Sequence, residues 1–233
     1  MKCLVVVPTY DERENLGRFV PAVLAQDPDV HVLVVDDASP DGTGRLADEI
    51  AAREPRLHVL HRPAKLGLGT AYVEGFQYAL RKTDARFVIQ MDADFSHDPA
   101  AIPGLLAAME RCDVAVGSRY AGGVRVINWP LRRLLLSILA NVYAARVTGL
   151  DVVDVTSGFK CYRRAVLEQL PLERIRSDGY GFNVEMVVLA AYRGMRVVEI
   201  PIVFTERVDG RSKLSRRIIW EAAWLVWWLR IRT

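Results

Sequence analysis

The chain has 233 residues, 25% of them charged and 51% apolar, and its net charge is +3. That size holds one large domain or two small ones, and the apolar fraction excludes a disordered chain. The near balance of charge excludes a broadly basic nucleic-acid binder, and three scattered cysteines, Cys3, Cys112 and Cys161, exclude a disulfide framework.

Strand and helix patterns alternate through the first hundred residues. "CLVVVP" (3–8), "VHVLVVD" (30–36), "RLHVL" (56–60) and "RFVIQMD" (86–92) are short runs apolar on both faces, as strands of a parallel sheet are. Helical periodicity fills 13–26, 43–53 and 69–82, and Ser39 or Asp41 is placed to cap the second of these after "SPDG". A further strand follows at "VAVGS" (114–118). From 119 the pattern changes. "YAGGVRVINWP" reads as a loop, and 131–147 as an amphipathic helix after Pro130. "TSGFKCYRRAVLEQL" and "DGYGFNVEMVVLAAYRG" read as a loop and two helices, and "RVVEIPIVF" (196–204) as a late strand. The expectation is α/β: a mostly parallel sheet with helices on both faces, in one domain over 1–211, followed by an amphipathic segment over 212–233. The chain enters a strand by residue 3 and shows neither a leader series nor an uncharged apolar run of about 20 residues. A reducing, cytosolic protein with unpaired thiols is expected.

Three of these strands end in acids: Asp11 and Glu12 after the first, Asp36 and Asp37 after the second, Asp92 and Asp94 after the fourth. Ligands of open α/β sheets bind beyond the carboxyl ends of the strands, so the three clusters should meet along one edge. Residues i and i+2 of an extended segment point the same way, so Asp92 and Asp94 can aim at one point. Two hard oxygen ligands suit Mg²⁺ or Mn²⁺, with substrate phosphates completing the shell. The plainer alternative is that aspartates simply favour turns after strands. Other phosphate-binding patterns fail. There is no G-x-x-x-x-G-K-[ST], and "GLGTAY" (67–72) has Tyr72 where a dinucleotide fingerprint needs its third glycine. That stretch reads as a turn into a helix, with Lys65 exposed or near a nucleotide.

Taken in order, "VVVPTYDERENL", "VVDDASPDGTG", "KLGLGTAYVEGF", "QMDADFSHDP", "VGSRYAGGV", "NWPLRRLLLS", "TSGFKCYRR", "GYGFNVEM" and "ERVDGRSKLS" resemble a family-2 glycosyltransferase with the GT-A fold, and more narrowly the polyprenol-phosphate (dolichol-phosphate) mannose synthases. The resemblance implies transfer of mannose from GDP-mannose to a polyprenyl phosphate. It implies that Pro8, Tyr10, Glu12, Val35 and Asp37 bind the nucleoside part of the donor, and that Asp92, Ala93 and Asp94 bind its diphosphate and the metal. Arg119, Arg207 and Lys213 would complete the donor site, and Arg119, Arg133 and Ser137 would take the acceptor phosphate. Asp11 stands where many relatives have Asn. Some relatives carry C-terminal membrane-spanning hairpins that this sequence lacks, so a peripheral place on the cytoplasmic side of a membrane, with or without an anchoring partner subunit, is expected. A UDP-glucose-dependent polyprenyl-phosphate glucosyltransferase and a non-catalytic membrane-surface protein on the same fold are the competing readings.

The residue chemistry agrees with phosphate as nucleophile. A phosphate monoester is already anionic at neutral pH, its second pKa being about 6, and needs no strong base. Arg133 and Ser137 lie four apart and share one face of the 131–147 helix. Guanidinium donors with a hydroxyl suit a phosphate. The glycine and serines of "ERVDGRSKLS" read as a loop that can close its cations over the donor. Glu185 is expected either behind the metal or on a helix surface. At the C-terminus, the run from Ile218 to Leu229 is interrupted by Glu221 and would rise about 18 Å as a helix, short of a hydrocarbon core of about 30 Å. Trp220, Trp224 and Trp227 form one stripe, Trp228 adjoins it, and Arg216, Arg217, Arg230 and Arg232 flank the run. Such a segment is expected to lie in a membrane interface, or to pack its tryptophans on the protein or a partner.

Overall fold

Alternation along each parallel strand divides its side chains between two cores. The computed structural model describes residues 1–175, 177–206, 224 and 226–231. In β1 (Cys3–Thr9), Leu4 and Val6 join one core while Cys3, Val5 and Val7 join the other. β2 (Val30–Asp36), β3 (Leu57–His61) and β4 (Phe87–Gln90) run parallel to it, in the order β3-β2-β1-β4. The crossover helices α1 (Arg13–Leu24), α2 (Thr43–Ala51) and α3 (Leu68–Lys82) follow β1, β2 and β3. Since β4 returns to the free side of β1, the strand order reverses there, which is where such sheets bind ligands.

Beyond β4 the sheet departs from expectation. α4 (Ile102–Ala108) precedes β5 (Val114–Ser118) and went unpredicted, because seven residues holding Pro103 and Gly104 give a weak helical signal. β6 (Val126–Ile127) lies within the stretch read as a loop. "TSGFKCYRRAVLEQL" contains β7 (Lys160–Arg163), antiparallel to both β4 and β5, and then α6 (Arg164–Gln169). Lys-Cys-Tyr-Arg carries no β-branched residue, and only its two neighbours make it a strand. The late strand divides into β8 (Val197–Pro201), beside β5, and β9 (Phe204–Thr205), which pairs with β6 in a separate two-stranded sheet. Gly42, in the left-handed region at φ 88°, occupies the N-cap of α2 in place of Ser39 or Asp41. Asp41 still accepts the Thr43 N–H at 2.9 Å.

Two long apolar helices are treated very differently. In α7 (Gly179–Tyr192) every residue from Phe182 to Ala190 is buried, as an all-round apolar helix should be. In α5 (Leu131–Thr148) the buried residues are Asn141, Ala144 and Thr148, whereas Leu131, Leu135, Leu136, Leu139 and Val142 are exposed. Gly149 ends α5 in the left-handed conformation. Residues 226–231 are helical; Val226 and Leu229 are buried in the core beside α7, while Trp224, Trp227 and Ile231 are exposed. Trp220, Arg216, Arg217, Arg232 and most of 212–233 lie outside the described residues. No helix among the described residues is long and apolar enough to cross a membrane.

Candidate active site

The ends of β1, β2 and β4 are each followed by a non-glycine residue in the left-handed region: Asp11 (φ 59°), Ala38 (φ 55°) and Phe95 (φ 59°). Such conformations are uncommon outside glycine and gather at ligand sites. They turn the chain sharply at the edge where the acids lie. Asp36 is buried and accepts the hydroxyls of Thr9 (3.1 Å) and Ser39 (2.5 Å). Asp37 pairs with the buried Arg62 and accepts the N–H groups of Leu66 and Gly67, both at 3.2 Å. It thereby fastens the end of β2 to the start of α3. Pro8, Tyr10 and Glu12 are half-buried along the same edge. Lys65 sits 3.5 Å over the Tyr10 ring, and Glu12 accepts from Asn15 at 2.8 Å. The Val35 side chain is fully buried in the core, so any contact it makes at the edge is through backbone.

Asp92 and Asp94 are partly exposed beside the buried Ala93. Tyr72 donates to Asp92 Oδ1 at 2.8 Å. Burial, and then the Asp92 carboxylate, keep that phenol protonated well above its ordinary range, so it remains a donor. Asp94 Oδ1 accepts both the N–H (2.9 Å) and the hydroxyl (2.6 Å) of Ser96. His97 is buried, and burial, with Arg119 and Lys160 adding, pushes its pKa down to about 3. The neutral ring accepts the Asp92 N–H on Nδ1 at 3.2 Å, which assigns its proton to Nε2. Behind these groups lies Lys160, wholly buried, its pKa lowered to about 7 by burial while Asp154 and Asp92 act to raise it. Among the described residues no group of three potential metal ligands occurs. Two carboxylates without a third ligand fit a hard divalent cation that completes its shell from a diphosphate.

On the other flank the charges are positive. Arg119 follows β5, is 4% exposed, and is forked onto Asp154 at 2.8 and 2.6 Å, with a further bond to Thr156 at 2.6 Å. Burial alone would lower its pKa, but Asp154 outweighs it and the net shift is upward. Arg133, on α5, pairs with Glu206 and stacks 4.2 Å from the Trp129 ring centroid. Ser137, one turn on, accepts the Tyr120 hydroxyl at 2.7 Å. The guanidinium of Arg119 lies 5.3 and 5.4 Å from the Tyr120 and Trp129 rings. Arg119, Arg133 and Ser137 are therefore brought together by the fold.

β9 links the two flanks. Thr205 N donates to Ser96 O at 3.4 Å, and the Phe204 ring meets His97 and Trp129 at 5.5 Å each. Arg207 and Lys213 lie outside the described residues. Glu185 accepts from Ser177 and lines a cavity with Arg174, Arg193 and Trp228. Asn183, two residues earlier, is bonded to Gln90 at 2.5 Å at the end of β4. Asn183 thus reaches the end of β4, and Glu185 is buried, which excludes the helix-surface alternative.

Several partners were not legible beforehand. Tyr72 drew notice only for spoiling a glycine pattern, yet it is the donor to Asp92. Asp154, Thr156 and Glu206 are separated from their arginines by 35, 37 and 73 residues. Thr156 and Glu206 open the quoted stretches "TSGFKCYRR" and "ERVDGRSKLS", whereas Asp154 lies in none of them.

The chain matches the profile of glycosyl transferase family 2 over residues 4–171. It is 48% identical to a polyprenol monophosphomannose synthase of Mycolicibacterium smegmatis, across 99% of this chain and 88% of that one. It is 45% identical to an undecaprenyl-phosphate mannosyltransferase of Micrococcus luteus, across 95% and 91% respectively. Among solved structures it is similar to glucosyl-3-phosphoglycerate synthase from Mycobacterium tuberculosis in complex with Mn²⁺ and UDP-glucose, with a TM-score of 0.67 and 16% identity over 95% of this chain and 75% of the other. At that identity the likeness is one of fold.

Proposed function

The chain belongs to glycosyl transferase family 2, and from that premise we propose that it transfers mannose from GDP-mannose to the phosphate of a polyprenyl phosphate. The observation that carries the reading is the pairing of two opposite flanks: carboxylates Asp92 and Asp94 on one side, and Arg119, Arg133 and Ser137 on the other, joined through β9. Similarity across 88% and 91% of a polyprenol monophosphomannose synthase and an undecaprenyl-phosphate mannosyltransferase supports the sugar and the acceptor.

Asp92 and Asp94 would hold Mg²⁺ or Mn²⁺, which when bound stabilises the departing diphosphate as a Lewis acid. Tyr72 and Ser96 fix the orientation of the two carboxylates before substrate arrives. Pro8, Tyr10, Glu12 and Asp37 line the edge for the nucleoside. For Asp37 the contribution is the turn it organises, since its carboxylate is committed to Arg62. Arg133 and Ser137 receive the acceptor phosphate, and Arg119, anchored on Asp154, supplies fixed positive charge between the sites. The acceptor oxygen is anionic without a general base. A single displacement on an α-linked donor then yields β-mannosyl phosphate. The exposed leucines of α5 flank Arg133 and Ser137, and with Trp224 and Trp227 they support a peripheral seat on a membrane surface, where the acceptor resides.

The test is a donor panel with purified protein, Mg²⁺ and a short polyprenyl phosphate. GDP-mannose should give lipid-linked sugar that disappears with chelator. Transfer from UDP-glucose in preference to GDP-mannose would replace the reading with that of a glucosyltransferase.

A further inference from the structure

The indole N–H of Trp129 is buried with no hydrogen-bond partner, and no other buried side-chain polar atom among the described residues shares that condition. Folded proteins satisfy nearly all such groups, so an orphan calls for an explanation such as a missing ligand. The surroundings of the ring say which kind. Arg133 stacks on one side of it at 4.2 Å, Arg119 lies 5.4 Å from its centroid, and Phe204 meets it edge-on at 5.5 Å. A donor set amid two guanidinium groups selects an oxyanion.

Glu206 already shows an oxyanion in this place. Its carboxylate pairs with Arg133, and it follows directly on β9, held by its N–H on Ile127 O at 3.2 Å. A carboxylate has two oxygens, and with Glu206 in position the indole still goes unmet. A phosphate monoester has three terminal oxygens, enough for the fork of Arg133 and one donor more. We propose that Trp129 Nε1–H donates to an oxygen of the acceptor's phosphate monoester, which takes the place that Glu206 holds on Arg133. The inference rests on the acceptor class of the functional reading and adds to it a binding residue and a carboxylate that vacates the site.

The experiment uses the full chain with ¹⁵N-labelled indoles, farnesyl phosphate as probe and farnesol as control. Farnesyl phosphate, and not farnesol, should move the Trp129 indole N–H resonance downfield. Trp129→Phe, which keeps an aromatic ring but lacks the N–H, should bind farnesyl phosphate about 10-fold more weakly while GDP binding is unchanged. An unmoved resonance at saturation, or equal affinity in the variant, would overturn the inference and leave the functional reading standing. A moved resonance without sugar transfer from GDP-mannose would overturn the functional reading and leave the inference. Failure of the wild-type chain to bind farnesyl phosphate would overturn both.

Discussion

The proposed donor edge and the proposed acceptor flank divide their charges by one rule with opposite signs. At the proposed donor edge Asp36 and Asp37 stand at the end of β2, and Asp92 and Asp94 just beyond β4. Two of them are spent on structure: Asp36 on Thr9 and Ser39, and Asp37 on Arg62. The other two, Asp92 and Asp94, remain partly exposed and are the proposed metal ligands. At the proposed acceptor flank the arginines divide in the same way. Arg119 is locked onto Asp154 in the interior, while Arg133 is held on Glu206 nearer the surface. In each region the buried charge builds the scaffold, and the more accessible one is the proposed ligand contact. The two long apolar helices divide likewise, α7 closing the core and α5 offering its leucines outward.

The largest effect should come from the buried side of that division. Asp154→Ala leaves the Arg119 guanidinium without its counter-charge, and breaking such a pair typically costs about 3–5 kcal/mol. Chemical denaturation should show a loss of that size, and a loss near zero would mean that Arg119 is not held as described. Asp94→Asn tests the accessible acid. The chain should stay folded by circular dichroism, yet transfer at saturating substrates should fall about 100-fold or more. Wild-type turnover at limiting Mg²⁺ would remove Asp94 from the metal site. Arg133→Ala addresses the accessible cation. Losing a charge-assisted bond worth about 1.5–3 kcal/mol should raise the acceptor KM about 10- to 100-fold with calorimetric GDP affinity unchanged. The reverse outcome would move Arg133 to the donor edge.

A smaller change is expected for Leu135→Gln with Leu139→Gln. Both side chains are exposed, so stability should shift by no more than about 0.5 kcal/mol. Cosedimentation with anionic vesicles should weaken several-fold, whereas turnover of a short, dispersed acceptor should hold. Equal vesicle binding would assign the face of α5 some other role. The smallest effect lies at the far margin of the donor half, where His31 and His58 stack at 5.5 Å. Burial, with His58 adding, lowers the pKa of His31, and burial lowers that of His58. Below about pH 6.5 the unfolded chain therefore takes up protons that the folded one resists. Their contribution to stability is complete above that pH and fades as pH falls toward the folded-state values. Thermal melts from pH 7.5 to 5.5 should show a slight decline that His58→Gln flattens.

What the sequence determined by itself was local and repetitive. Four apolar runs with helical periodicity between them are enough for β1 to β4 and α1 to α3, because burial on both faces of a parallel sheet forces continuous Val, Ile and Leu. The acids after β4 were legible as well, although the strand stops at Gln90 and Asp92 and Asp94 stand just beyond it. The resemblance carried Arg119, Arg133 and Ser137 to one place, and geometry agrees. Contacts between distant segments were decided only by tertiary structure. Lys160 to Arg163 became a strand because β4 and β5 bracket it, not through any preference of its own. The N–H of Gly69 at the start of α3 bonds to Asp178, 109 residues away, at 2.6 Å. Arg119 found Asp154, and Arg133 found Glu206, across separations of 35 and 73 residues, at which no periodicity operates. Hydrophobic patterning is written in neighbours along the chain, whereas the pairing of buried charges depends on which loops the completed sheet brings side by side.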